Sequence, residues 1–88
     1  MKYTKAQVNT VAKEMQRRYI EGEVEGHEIV LALLAMEKAG RITIEDIRFI
    51  LLYIFYGNRQ AVIRVLAKAG NMVTAELIDA IINESQNS

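Results

Sequence analysis

Apolar residues recur at helical spacing in the first part of the chain, with polar residues between them. Spacings of three and four residues place side chains on one face of an α-helix. The members of this stripe are Val8, Val11, Ala12, Met15 and Tyr19. Thr4 and Gln7 precede it at the spacing of a capping box, in which each side chain accepts a hydrogen bond from the other residue's backbone. The pattern predicts a first helix over residues 4–20.

The first of two long apolar runs covers residues 29–36. It is rich in Leu, Ala and Met, which favour helix. Gly40 follows it and suits the left-handed turn that ends many helices. We therefore predict a second helix over residues 27–38, after a loop at residues 21–26. Since its apolar residues surround the whole circumference, we expect this helix to be central.

The second long apolar run, residues 49–56, predicts a third helix that begins at Thr43 and continues through Tyr56. Threonine is a favourable N-cap, and two acidic residues follow in the first turn, where the helix dipole stabilises them. The run also contains β-branched and aromatic residues, so an extended strand is the alternative. Gly57 marks the end of the element.

The remaining chain predicts two short helices, the fourth over residues 59–69 and the fifth beginning at Thr74. Gly70 separates them. We expect the fifth helix to direct four apolar side chains inward, namely Leu77, Ile78, Ile81 and Ile82. The tail at residues 83–88 is polar and is predicted to fray.

A shift of 30 residues lays residues 31–52 over 61–82 and aligns the Lys-Ala-Gly sequences at 38–40 and 68–70. Each copy predicts an αα-hairpin, a helix pair joined by a glycine turn. A duplication is one interpretation, and two ordinary hairpins closed by glycine are the other. The predicted fold is all-α: a small bundle of four to five short helices arranged as tandem αα-hairpins, in one domain over residues 1–88.

Charge and composition indicate the setting of the protein. Lys plus Arg number 11 and Asp plus Glu also number 11, so no net charge attracts nucleic acid or an anionic membrane. No apolar run approaches the roughly 20 residues that cross a bilayer, and none resembles a signal peptide. Cysteine is absent, so disulfides do not stabilise the domain. We expect a small cytoplasmic protein of bacterial or phage type, without a membrane partner.

Residues suited to catalysis or metal binding are sparse. Residues 40–46 resemble the second half of an EF-hand calcium loop, but the ligand positions of the first half are Ala35, Glu37 and Ala39, with one carboxylate among them. The one histidine, His27, stands at a helix start without a Ser or Asp in a recognisable constellation. The sequence therefore predicts no enzyme, no metal site and no cofactor.

A DNA-binding regulator is the alternative hypothesis for function. Residues 47–69 permit a helix-turn-helix with Gly57 in the turn, and its second helix carries residues suited to base edges and phosphates. These candidate residues are Arg59, Gln60, Arg64 and Lys68. The bulky Tyr53 on the supporting helix and the zero net charge argue against this interpretation.

The favoured hypothesis rests on an aromatic stripe along the predicted third helix. Phe49, Tyr53 and Tyr56 follow one another at offsets of four and three, and other apolar residues fill much of the rest of the circumference. One short chain can surround a single helix but hardly two, so we expect a further chain to cover this stripe. The sequence predicts a protein-interaction module that forms a homodimer or larger assembly and docks on a protein partner.

Overall fold

The computed structural model describes residues 1–83, and this part of the chain contains five α-helices and no strand. The helices are α1 (Lys5–Ile20), α2 (Gly26–Lys38), α3 (Ile44–Ile54), α4 (Arg59–Ala69) and α5 (Ala75–Ile82), with a 3₁₀ turn at Gly70–Met72. The all-α prediction is confirmed, and the strand alternative for residues 49–56 is excluded. Residues 84–88, most of the predicted frayed tail, lie outside the described residues.

Side-chain caps determine where the helices begin. At α1, the Gln7 backbone N–H donates to Thr4 Oγ1 (3.2 Å) and the Thr4 N–H donates to Gln7 Oε1 (2.8 Å). Thr43 and Asp46 form the same reciprocal pair at α3, at 3.1 and 2.9 Å. At α5 the Thr74 hydroxyl accepts the N–H three residues further on, at 3.3 Å. The three threonine starts are therefore confirmed, and each cap contributes about 1 kcal/mol.

The ends of α2 and α3 differ in how well the sequence predicts them. Gly40 follows α2 with φ +77°, and the Arg41 N–H donates to the Met36 carbonyl (3.0 Å), as glycine-terminated helices do. The third helix ends at Ile54, two residues before its predicted end. Tyr56 (φ 57°) and the glycine after it are both left-handed, which turns the chain out of α3.

The central helix is α3, because it contacts each of the other four described helices. Its buried residues are Ile47, Ile50, Leu51 and Ile54. The prediction of a central α2 is wrong. That helix packs mainly on α3 and α4 through one face, and its opposite face, with Leu31, Ala32 and Ala35, is exposed.

The tandem hairpins are present as α2–α3 and α4–α5, and they pack with α2 against α4 and α3 against α5. The first helix covers α3 from outside this pair of hairpins. Within residues 1–83, no helix alone has the length and apolar character of a membrane span. Ile44–Ile54 and Arg59–Met72 together have this length and apolar character, but the pair is bent by 117°.

Candidate interaction surfaces

Two of the three predicted interface residues lie side by side on α3. The ring centroids of Phe49 and Tyr53 are 6.2 Å apart and their planes are tilted by 39°. Phe49 is 43% exposed, whereas Tyr53 is half-buried. We call these two residues the aromatic surface. Tyr56 is 79% exposed but lies beyond the end of α3, so the helical spacing of the predicted stripe does not extend to it.

Contacts from α1 fix the end of α3 behind the aromatic surface. The Gln16 side-chain amide donates to the carbonyls of Tyr53 (3.1 Å) and Ile54 (3.4 Å), which lie in the last turn of α3. Carbonyls in a last turn have no partner within their own helix. The Gln16 amide is a partner for both, and the Tyr53 carbonyl also accepts the Tyr56 N–H (3.3 Å). Phe55, just beyond, packs edge-on against Tyr19 with ring centroids 5.0 Å apart. The aromatic surface therefore stands on a well-anchored element.

Phe49 also borders an open hollow of about 380 Å³ between the start of α1 and the start of α3. The other lining residues are Lys5, Val8, Glu45, Asp46 and Arg48. An exposed aromatic ring bordered by side chains of both charges has the composition of a protein–protein contact, in which aromatic residues occupy the centre and charged ones the rim.

The four candidate DNA-binding residues all lie on α4, but they differ in exposure. Gln60, Arg64 and Lys68 are exposed and Arg59 is half-buried. Lys68 Nζ lies 3.6 Å from Glu25 Oε1, in the loop before α2. Both of these side chains are about two-thirds exposed, so the ion pair is weak, but it places a carboxylate beside the basic face.

The connection between α3 and α4 resembles a helix-turn-helix in geometry. The chain bends by 117° between Ile44–Ile54 and Arg59–Met72, the latter being α4 with the 3₁₀ turn after it, and residues 55–58 form the turn. Helix-turn-helix motifs join two helices at about 90–120° through three or four residues, often with a glycine. Gly57, with φ +75°, is that glycine here.

An apolar groove between α4 and α5 is a feature that the sequence interpretation missed. It forms an open hollow of about 190 Å³, and every lining residue is apolar: Ile63, Leu66, Ala67, Gly70, Val73, Ile78 and Ile82. Ile63 is 38% and Ile78 is 40% exposed. We call this feature the α4–α5 groove.

The expectation that all four apolar residues of α5 face inward is therefore wrong for two of them. Leu77 and Ile81 are fully buried, while Ile78 and Ile82 are exposed. Because consecutive residues of a helix point about 100° apart, the exposed positions 78 and 82 lie beside the buried positions 77 and 81, and the apolar side of α5 is wider than the side that the other described helices cover. This spacing was present in the sequence and could have revealed the exposed side.

No group of three or more His, Asp or Glu side chains within residues 1–83 is arranged to hold a metal ion. His27 stands in the first turn of α2, half-buried, with Nδ1 4.0 Å from Glu25 Oε1. That distance is too long for a hydrogen bond.

The strongest cluster of charges lies at the end of α1. Arg17 contacts Glu14 (2.7 Å), Glu21 (2.7 Å) and Glu23 (3.3 Å), and Arg18 contacts Glu14 (3.0 Å). Hydrogen bonds from Arg17, and then from Arg18, lower the pKa of Glu14 from 4.5 to about 2. The hydrogen bond that Arg17 donates to Glu14 is the largest cause that raises the pKa of Arg17. These contacts link the end of α1 to the loop after it, and each ion pair is weak because its side chains are about half exposed.

Comparisons with protein-family models, with curated proteins and with solved structures find no match for this chain. The hypotheses for function therefore depend on the surfaces described above.

Proposed function

We propose that this protein is a small cytoplasmic interaction module that self-associates and docks on a protein partner, as an inhibitor, adaptor or scaffold. The observation that carries the proposal is the exposure of Phe49 against Tyr53 on the central helix. Burying such a ring on binding contributes on the order of 2 kcal/mol, and aromatic residues dominate the energetics of many interfaces. The mechanism is occlusion or assembly rather than chemistry.

The mixed charges beside Phe49 support a protein as the ligand of the aromatic surface. Lys5 and Arg48 stand with Glu45 and Asp46 around the adjacent hollow, and Arg48 Nη2 lies 2.7 Å from Glu45 Oε1. A rim of both signs selects a partner with matching charges and repels others. It does not select a uniformly negative polymer.

The test is capture of a partner by the wild type and by two charge variants, from lysate treated with nuclease. Phe49→Glu places a charge at the centre of the aromatic surface, and Leu31→Glu places one on α2, where Leu31 is 37% exposed. We expect a defined protein to be captured by the wild type and by Leu31→Glu, and to be lost with Phe49→Glu. Circular dichroism of both variants verifies that they remain helical.

Two results contradict this proposal. Equal capture by wild type and Phe49→Glu shows that the aromatic surface is not the docking site. Loss of all capture after nuclease treatment shows that nucleic acid carried the interaction.

The second candidate function, a DNA-binding regulator, is favoured by one observation. The 117° bend and the four-residue turn lie in the range of a helix-turn-helix connection, and Gln60, Arg64 and Lys68 are exposed on the second helix. The carboxylate of Glu25 beside Lys68 and the zero net charge oppose it. We therefore rank DNA binding second.

A further inference from the structure

The hollow beside the aromatic surface carries a positive charge that the chain itself does not pair. Two acids line this hollow, and both are engaged: Glu45 Oε1 lies 2.7 Å from Arg48 Nη2, and Asp46 Oδ2 accepts a backbone N–H at the start of α3 (2.9 Å). Lys5 lines the same hollow, is exposed, and has no ion pair with any residue in 1–83. The charge that remains for a partner is therefore positive.

A row of exposed side chains on α1 extends this positive edge. Residues four apart form ridges along a helix. The ridge that faces α3 consists of Val8, Ala12 and Gln16, of which the first two are buried and the third donates to carbonyls of α3. The adjacent ridge, on the side of the hollow, consists of Lys5, Asn9 and Lys13, all of them exposed. Like Lys5, Lys13 has no ion pair within the described part of the chain.

The seam between α1 and α3 matches the dimensions of a helical segment. Residues 1–83 contain no strand, so an extended peptide finds no sheet edge to pair with there. Phe49 and Tyr53 are one helical turn apart, and Lys5 and Lys13 are about 12 Å apart along α1, which is about two turns. A helix laid along the seam repeats these spacings. The open hollow of about 380 Å³ has room for one of its apolar side chains, since a cavity of about 150 Å³ holds benzene.

A second copy of this chain matches the seam less well than a partner with acidic side chains. It would bring the same unpaired lysines, Lys5 and Lys13, toward a contact whose remaining charge is already positive. Like charges at a contact disfavour that partner. Charge complementarity therefore selects a different chain.

We infer that the segment that docks on the aromatic surface is an acidic amphipathic helix of a partner protein. Its apolar side covers Phe49 and Tyr53 and fills the hollow, and two carboxylates about two turns apart meet Lys5 and Lys13. The inference rests on the docking in the proposed function and adds the chemistry of the partner.

Three labelled helical peptides test the inference by fluorescence anisotropy with the full chain. They share one leucine-bearing side and differ at two flanking positions about two turns apart, which are both glutamate, both glutamine or both lysine. We expect affinity to decrease in that order and the preference for glutamate to weaken as salt rises. For the glutamate peptide we expect a dissociation constant on the order of 100 μM, because the contact is small.

Variants of the protein separate the charged edge from the aromatic rings. Lys5→Glu and Lys13→Glu should each raise the dissociation constant of the glutamate peptide by about fivefold, and the double variant should prefer the lysine peptide. Phe49→Ala should weaken the binding of all three peptides by about tenfold. Lys38→Glu reverses an exposed lysine on α2, away from the seam, and is the matched control that should bind like the wild type.

Contrary results distinguish this inference from the proposed function. Equal affinity for the three peptides, or equal loss in Lys5→Glu and Lys38→Glu, overturns the recognition of acidic side chains. Failure of every peptide to bind overturns the helix as the occupant. In either case, docking on the aromatic surface is judged separately by the capture experiment with Phe49→Glu. A DNA duplex that displaces the glutamate peptide from the wild type would show that the lysines bind phosphate, which overturns a protein helix as the ligand.

Discussion

Gly26, the first residue of α2, is buried against Val65 of α4. A Cβ at this position would lie 2.9 Å from Val65 Cγ2 and 3.2 Å from Val65 Cγ1. Valine is stiff about χ1, so Val65 cannot easily move aside. The absence of a side chain at Gly26 therefore permits α2 and α4 to approach each other at this point.

We predict that Gly26→Ala destabilises the protein by about 1 kcal/mol. Overpacking costs about 1–3 kcal/mol, and the better helix propensity of alanine offsets up to about 1 kcal/mol of it. Urea denaturation of the wild type, Gly26→Ala, Val65→Ala and the double variant measures the coupling. The loss from Gly26→Ala should shrink in the Val65→Ala background. Equal losses in both backgrounds would show that Val65 is not the obstacle.

A second prediction at the residue scale concerns the acidity of Glu14. Its pKa of about 2 lies below the ordinary 4.5, so the charged carboxylate is favoured in the folded state. The stabilisation from this group is therefore present above pH 4.5 and is lost as the pH falls toward 2. Because the group is exposed, the effect on unfolding stays small. An NMR titration of the Glu14 carboxyl carbon measures the pKa directly.

Arg17→Gln should raise the pKa of Glu14 further than Arg18→Gln does, because the hydrogen bond from Arg17 is the larger cause. An unchanged pKa in Arg17→Gln would contradict the ion-pair geometry at the end of α1.

At the scale of the element, helix starts follow from the sequence more closely than helix ends or faces. Thr4, Thr43 and Thr74 are local signals, because each hydroxyl caps a backbone N–H three residues away. The end of α3 depends on Tyr56 adopting a left-handed conformation that its own preferences disfavour. Tertiary packing also determines which side of an apolar helix is buried, and periodicity along the chain does not contain this information. For this reason the sequence led to the wrong prediction that α2 is the central helix.

The two candidate surfaces differ in the same way: one depends on local spacing within a helix, and the other depends on tertiary packing. The neighbouring aromatic side chains of Phe49 and Tyr53 are predictable, because a spacing of four residues within one helix brings the side chains together. The α4–α5 groove is not predictable to the same extent, since it requires the relative placement of two helices joined by a 3₁₀ turn. An adjacent pair such as Leu77 and Ile78 indicates that α5 has a second apolar side. It does not show which residues of the neighbouring elements lie beside that side.

Two matched substitutions on α5 test which of its sides is core. Leu77 is fully buried, so Leu77→Ala should cost about 2–5 kcal/mol. Ile78 is partly exposed, so Ile78→Ala should cost well under half as much. Chemical denaturation at a low protein concentration, where the chain is monomeric, separates folding stability from self-association. Equal losses at the two positions would mean that Ile78 also belongs to the core.

At the scale of the whole molecule, the equal numbers of basic and acidic residues conceal an uneven distribution. Acidic residues crowd the loop after α1, whereas Arg59, Arg64 and Lys68 stand on α4. Glu25 brings one acid from that loop to within 3.6 Å of Lys68. The basic face of α4 is thus small, and Glu25 neutralises part of its positive charge. The salt dependence of its binding to DNA can be predicted from the number of basic side chains.

Binding through three basic side chains releases few counterions, so the logarithm of the DNA affinity should fall with the logarithm of salt concentration at a slope of about −3. We predict weak, sequence-independent binding at low salt and no specific complex at physiological salt, measured by fluorescence anisotropy on several duplexes. Glu25→Gln should strengthen the low-salt binding, because it removes the carboxylate beside Lys68.

Lys13→Ala, on the exposed face of α1, is the matched control for Arg64→Ala. A tight, sequence-dependent complex at physiological salt that Arg64→Ala abolishes and Lys13→Ala preserves would reverse the ranking. The helix-turn-helix geometry of α3 and α4 would then be the functional feature of the fold.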